Sequence, residues 1–170
     1  RDLAVGTRFY GTYGAVFVLS LSTSGAVVSS SEVSPDVSTA ISAITTAPAE
    51  FGISVAALGD IDGDGAAGDM AIGATFDDSI AADAGIVVIV SLLSSGAINE
   101  SRVTAIPLST ATTPLPTIVA DTLFGFSAAF VGDWGNTGLV NGLVVGAFHD
   151  DTAATDAGAI YNLQLADFID

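Results

Sequence analysis

Apolar residues along this chain fall into short runs with strand spacing, divided by small and polar stretches. Ile53, Val55 and Ala57 alternate with their neighbours, and Met70 to Ile72 resumes the apolar pattern after an acidic loop. Ile86 to Leu92 is apolar at nearly every position, whereas Ala97 to Ile106 mixes apolar residues with Asn99, Glu100, Ser101 and Arg102. The pattern predicts four strands, over about 51–58, 70–75, 86–92 and 97–106. The third is expected to be covered on both faces and the fourth to form a wetter outer edge. Ser22-Thr23-Ser24-Gly25 and Leu93-Ser94-Ser95-Gly96 read as hairpin turns, with glycine where φ is positive. Residues 36–46 are expected to form a short helix.

The strands belong to a repeat. Phe51-Gly52-Ile53-Ser54 returns 73 residues later as Phe124-Gly125-Phe126-Ser127, and the same spacing relates Gly59-Asp60 to Gly132-Asp133, Gly73-Ala74 to Gly146-Ala147, and Ala84-Gly85 to Ala157-Gly158. A partial copy opens the chain: Asp2-Leu3-Ala4-Val5-Gly6 matches Asp69 to Gly73, and Gly14 to Leu19 matches Gly85 to Val90. Four antiparallel strands per repeat is the blade of a β-propeller. The expected fold is therefore all-β, a partial propeller of about two to three four-stranded blades. Residues 1–50 would be a partial blade (strands two to four) and its connection, 51–123 a complete blade and connection, and 124–170 a partial blade (strands one to three). The stretches 34–50 and 107–122, rich in Ser, Thr, Ala and Pro, are connections between blades rather than domain linkers. A ring takes roughly four to eight blades, so this chain is not expected to close one alone. It is either a piece of a longer propeller or one of several copies that complete one another by strand addition.

The loop between the first two strands of the middle copy carries the chemistry. Asp60, Asp62, Asp64 and Asp69 fall within ten residues, with Gly63 and Gly65 allowing a sharp turn. Unpaired, these carboxylates repel; a hard cation taking six to eight oxygens at about 2.3–2.6 Å, Ca²⁺ above all, would gather them. The Asp-x-Asp-x-Asp-Gly opening is shared with the EF-hand. The strand-like flanks and the lack of Glu at the twelfth position argue instead for a β-hairpin calcium loop. The plainer alternative is a solvated acidic turn.

The same stretch resembles the FG-GAP repeat of integrin-α-type β-propellers, through Phe51-Gly52, Asp60/Asp62/Asp64/Gly65 and Gly73-Ala74. The resemblance implies a Ca²⁺ site formed by Asp60, Asp62, Asp64 and Asp69, with a backbone carbonyl near Ala66. The chain departs from that pattern by one inserted residue among Ala66, Ala67 and Gly68, which makes Asp69 the tenth loop position rather than the ninth.

Charge narrows the partners. Nineteen Asp and Glu stand against three Arg and no Lys, for a net charge of −16. Nucleic acid needs cations to neutralise its phosphates, and this chain has almost none. Cations, by contrast, suit the surface, and loaded loops or salt would ease its self-repulsion. Half of the residues are apolar, enough for a folded core, and no run has the length of a membrane helix. Any export signal is expected to be already removed or to lie outside the sequence. Cysteine is absent, so no disulfide or thiol chemistry is available.

The remaining candidates are weaker. The third copy's loop keeps Asp133 but has Gly135, Thr137 and Asn141 at the other ligand positions, a poor Ca²⁺ site in which Trp134 would serve as a cover. Asp2 is the remnant of a first-copy loop. Asp77, Asp78 and Asp83 recur as Asp150, Asp151 and Asp156, and read as solvated loop acids rather than a second cation site. His149, the single histidine, lies outside any nucleophile motif, so no enzyme activity is expected. Asn99-Glu100-Ser101 is a glycosylation sequon, meaningful for a protein secreted from a eukaryote. The expected function is a non-catalytic, Ca²⁺-stabilised extracellular or cell-surface structural or adhesion module that self-associates or forms part of a larger propeller or filament. The alternative is an integrin-α-like recognition module that binds a protein or glycan on loops at the blade ends.

Overall fold

The computed structural model describes residues 2–107, 118–133 and 142–165, and within them the chain is all-β apart from one helical turn. Strands β1 (Asp2–Thr7), β2 (Ala15–Leu21) and β3 (Val27–Val33) form the first sheet, in that order. The helical turn α1 (Thr39–Ser42) precedes the second sheet, β4 (Val55–Gly59), β5 (Asp69–Ala74), β6 (Ile86–Leu92) and β7 (Ile98–Ile106). The third sheet contains β8 (Phe124–Gly132), β9 (Gly142–Ala147) and β10 (Ala159–Gln164). Every described strand pairing is antiparallel and joins strands consecutive in sequence, and none of the three sheets closes on itself. No helix among the described residues is long and apolar enough to cross a membrane.

Two apolar cores lie between the sheets. Val16, Val33 and Phe51 meet Ile72, Val88 and Val90 in one; Ala71, Val87 and Ile89 meet Phe124, Leu143 and Val145 in the other. Alternate residues of β5 and β6 therefore point into different cores, as the two-residue period of a strand requires. All positions of both strands are buried as a result, which explains why Ile86–Leu92 carries almost no polar residue. The outer strand β7 is exposed over Glu100, Ser101 and Arg102 and buried only at Ala105 and Ile106.

The helix expected over 36–46 shrinks to residues 39–42. Ser38 caps it, its Oγ accepting the Ile41 N–H at 3.2 Å. Glu100 reaches across from β7, its Oε2 accepting the Ala40 N–H at 2.8 Å and the Ser38 hydroxyl at 3.1 Å. These bonds hold the Glu100 carboxyl below the usual range. Ile41, fully buried, fills the outer end of the first core.

The first strand of the middle copy begins at Val55 rather than Phe51, because the Phe-Gly pair forms a joint between sheets. The Phe51 N–H donates to the Tyr13 carbonyl at 2.7 Å, and Gly52 adopts φ +90°. A Cβ on Gly6 would fall far inside 3.0 Å of the Gly52 carbonyl oxygen, and one on Gly14 equally close to that of Phe51. The joint is built again between the second and third sheets. There Phe124 N–H donates to the Ala84 carbonyl at 2.9 Å, and the oxygens of Gly125 and Phe124 press against Gly73 and Gly85. Only a residue without Cβ permits that approach.

Gly73→Ala is expected to destabilise the protein by about 3 kcal/mol, the upper end of an overpacking penalty. Gly96→Ala, at a turn with open space around it but φ +81°, should cost about 1 kcal/mol. Urea denaturation of the two variants measures the contrast, and equal losses would show that the close approach is not the constraint.

Candidate metal centre

The loop from Asp60 to Gly68 is shaped by its own carboxylates. Asp60 Oδ2 accepts the Gly65 N–H at 3.0 Å, Asp62 Oδ1 the Asp64 N–H at 3.1 Å, and Asp64 Oδ1 the Ala66 N–H at 2.7 Å. Gly63 and Gly65, at φ +74° and +87°, supply the turn. One carboxylate oxygen from each of Asp60, Asp62 and Asp64 then lies within 4.8 Å of the others. Like charges at that range repel unless a cation or protons intervene.

Asp69 lies outside this trio, at the start of β5. It is buried; its Oδ2 accepts the Ile61 N–H at 2.8 Å, while Oδ1 has no partner among the described residues. Burial pushes this carboxyl above its ordinary range; the Ile61 N–H and the nearby Ser91 hydroxyl oppose the effect and the Asp62 charge adds to it. A buried oxygen without a partner costs about 1–3 kcal/mol, and a hard cation is the kind of partner that would satisfy it. The donor set is all oxygen, as Ca²⁺ requires, and the three leading carboxylates sit where a single ion could bridge them. Of the five residues expected at the site, the structure thus gathers three; Asp69 flanks them, and Ala66 is held by its N–H bond to Asp64.

Ser91 escaped sequence reasoning. Its hydroxyl, on the buried central strand β6, donates to Asp62 Oδ2 at 2.8 Å and fixes that carboxylate to the sheet. The signal was present as the one polar residue in the run Ile86-Val87-Val88-Ile89-Val90-Ser91-Leu92.

The second acidic cluster corrects an expectation. Asp77 and Asp150 are buried rather than solvated, and each serves the backbone of a turn. Asp77 accepts the N–H groups of Ser79 and Thr46 through its two oxygens, and its carbonyl takes the Gly85 N–H at 3.1 Å. Asp150 accepts the Thr152 N–H at 2.9 Å and the Tyr161 hydroxyl, and its carbonyl takes the Gly158 N–H at 3.0 Å. Asp78 and Asp151 do the same for the N–H groups of Asp83 and Asp156. Acids so placed build the loops that carry Gly85 and Gly158.

His149 is half-exposed, with Nε2 3.6 Å from Asp156 Oδ1 and its ring against Phe148. No serine hydroxyl is bonded to it among the described residues. Asn99 Oδ1 is engaged by the Ser101 hydroxyl at 2.7 Å. In the third copy's loop Asp133 is described, whereas Trp134, Gly135, Thr137 and Asn141 lie outside the described residues. No protein-family model matches the chain, and no curated protein matches its sequence.

Burial and the hydrogen bond to Asp150 push the Tyr161 phenol up to about 12. The protonated phenol is the favoured form, so the pair's stabilisation is complete below the ordinary value of 10.0 and is lost as pH rises toward 12. Ultraviolet titration should show one of the three tyrosines ionising near 12, and Asp150→Asn should move it back toward 10.0. A normal titration in the unmodified protein would refute the pairing.

Proposed function

We propose that the chain is a non-catalytic structural or adhesion module of FG-GAP-like β-propeller blades, working outside the cell or at its surface. In this reading Ca²⁺ held by Asp60, Asp62 and Asp64, with Asp69 and a carbonyl near Ala66 completing the shell, rigidifies one end of the middle blade. The observation that carries the reading is the convergence of three carboxylates beside a buried Asp69 oxygen with no partner among the described residues. Support for blades comes from three meandering sheets that pack face to face in chain order.

The metal's role follows from the loop's connections. Asp62 is bonded to Ser91 on β6, and Asp69 to Ile61, whose side chain packs against the second core. An ion drawing the carboxylates together would therefore brace β4, β5 and β6 at one end. Among the described residues the outer strands β1, β3, β4, β7, β8 and β10 each leave one side unpaired within their sheets, which suits assembly into a larger propeller or filament.

One feature favours ligand recognition as a second reading. On the β1–β2 loop Phe9 and Tyr10 are exposed, and the Arg8 guanidinium lies 4.3 Å from the Phe9 ring centre. An aromatic–arginine cluster of this kind is a common anchor for protein or glycan partners.

Isothermal titration with CaCl₂ and thermal melts with and without chelator test the main reading. Saturating Ca²⁺, at a hundredfold excess over Kd, should stabilise by about 2.7 kcal/mol, or roughly 5–10 °C for a chain of this length. Asp62→Ala should lower affinity at least tenfold and remove that increment, while Asp151→Ala should leave both nearly unchanged. Equal effects of the two substitutions, or no heat of binding, would sink the metal reading.

A further inference from the structure

Among the described residues, the two joints between sheets leave a third, unfilled version of themselves on the far face of the third sheet. Gly146 and Gly158 stand 73 residues after Gly73 and Gly85, the glycines that receive the carbonyl oxygens of Gly125 and Phe124. Ala157 corresponds to Ala84, whose carbonyl accepts the Phe124 N–H. Ser127 corresponds to Ser54, whose hydroxyl donates to the Gly125 carbonyl at 2.8 Å. In the third sheet these groups line an open hollow, walled by an edge-to-face pair of Phe126 and Phe148 with ring centres 4.5 Å apart.

Exposure at equivalent positions shows what is missing. Val16 and Val87, in the first and second sheets, are fully buried by the sheet that follows, whereas Ile160 at the same place in the third is 74 % exposed. Leu58 is 3 % exposed and its counterpart Val131 39 %. Asn162, standing where Ile89 does, confines the apolar area to the half nearest the hollow.

We propose that this hollow is a docking site for an extended segment bearing Phe-Gly, contributed by a chain segment other than a second copy of these 170 residues. The face continues an interface that the chain already makes twice, and both earlier versions are filled by Phe-Gly. A second copy has no free pair to offer, because Phe51 and Phe124 are 0 % and 1 % exposed in their own joints. The incoming Phe N–H would meet the Ala157 carbonyl, and its two carbonyl oxygens would lie over Gly158 and Gly146, with the Ser127 hydroxyl free to donate. The inference deepens the proposed function, since it rests on reading the chain as one part of a repeating assembly, and it names the chemistry of the neighbour.

Fluorescence anisotropy of a labelled synthetic peptide with the sequence of residues 49–60 tests it on the full chain in Ca²⁺ buffer. Saturable binding is expected, weakened at least tenfold when the peptide's Phe-Gly is replaced by Ala-Val. Ile160→Glu, a substitution at an exposed position and so compatible with folding, should also weaken binding at least tenfold, because docking would bury an unpaired charge. Binding no tighter than that of a scrambled peptide, or unaffected by Ile160→Glu, would overturn the proposal. Sedimentation showing a dimer of the chain that Ile160→Glu dissociates would also overturn it, by giving the face to a second copy. An intact calcium response without peptide binding would overturn this inference alone and leave the proposed function standing.

Discussion

The contact on which this architecture depends is backbone against backbone: a carbonyl oxygen at the start of one sheet pressed onto a glycine of the sheet before it. At Gly6 and again at Gly73 the approach leaves no room for a methyl group. Hydrophobic burial drives the sheets together, but it is non-directional and would tolerate many offsets. The Phe-Gly joints select one of them. With Gly52 and Gly125 seated, the alternate residues of β5 and β6 come into register with the cores on either side.

The acidic loops are subordinate to this frame. Asp77 and Asp150 look in sequence like the acids at 60–64, yet Asp77 spends its oxygens on the Ser79 and Thr46 N–H groups, and Asp150 on the Thr152 N–H and the Tyr161 hydroxyl. Asp69 differs because one of its oxygens has no partner among the described residues while the other holds Ile61. Asp60, Asp62 and Asp64 also take backbone N–H groups, and Asp62 the Ser91 hydroxyl as well, so what sets the candidate metal centre apart is the convergence of three carboxylates within 4.8 Å of one another.

Much of this is legible in the sequence. Ile86–Leu92 was found at its predicted ends, because a strand covered on both faces leaves an unbroken apolar run. The 73-residue spacing announced that sheets would recur, and the Asp-x-Asp-x-Asp-Gly pattern placed three carboxylates together. Phe51-Gly52 was visible as a repeated mark but read as the start of a strand. Periodicity reports which side chains are buried and is silent about close backbone approach, whose only trace is where glycine stands. The burial of Asp77 and the bond from Ser91 to Asp62 were hidden for a related reason: each depends on a partner distant in sequence, Thr46 in one case and the loop after β4 in the other.

The glutamate on β7 has a mechanical consequence. Glu100 grips the helical turn that leads out of the first sheet, at the opposite side of the second sheet from Phe51-Gly52, which clasps the same neighbour near β4. Two fastenings at opposite margins restrain the hinge that either would leave by itself, so the first and second sheets are held against both fanning and sliding. Tension applied along the polypeptide would then meet both clasps at once, and these two sheets would resist as a laminate rather than peel one from the other.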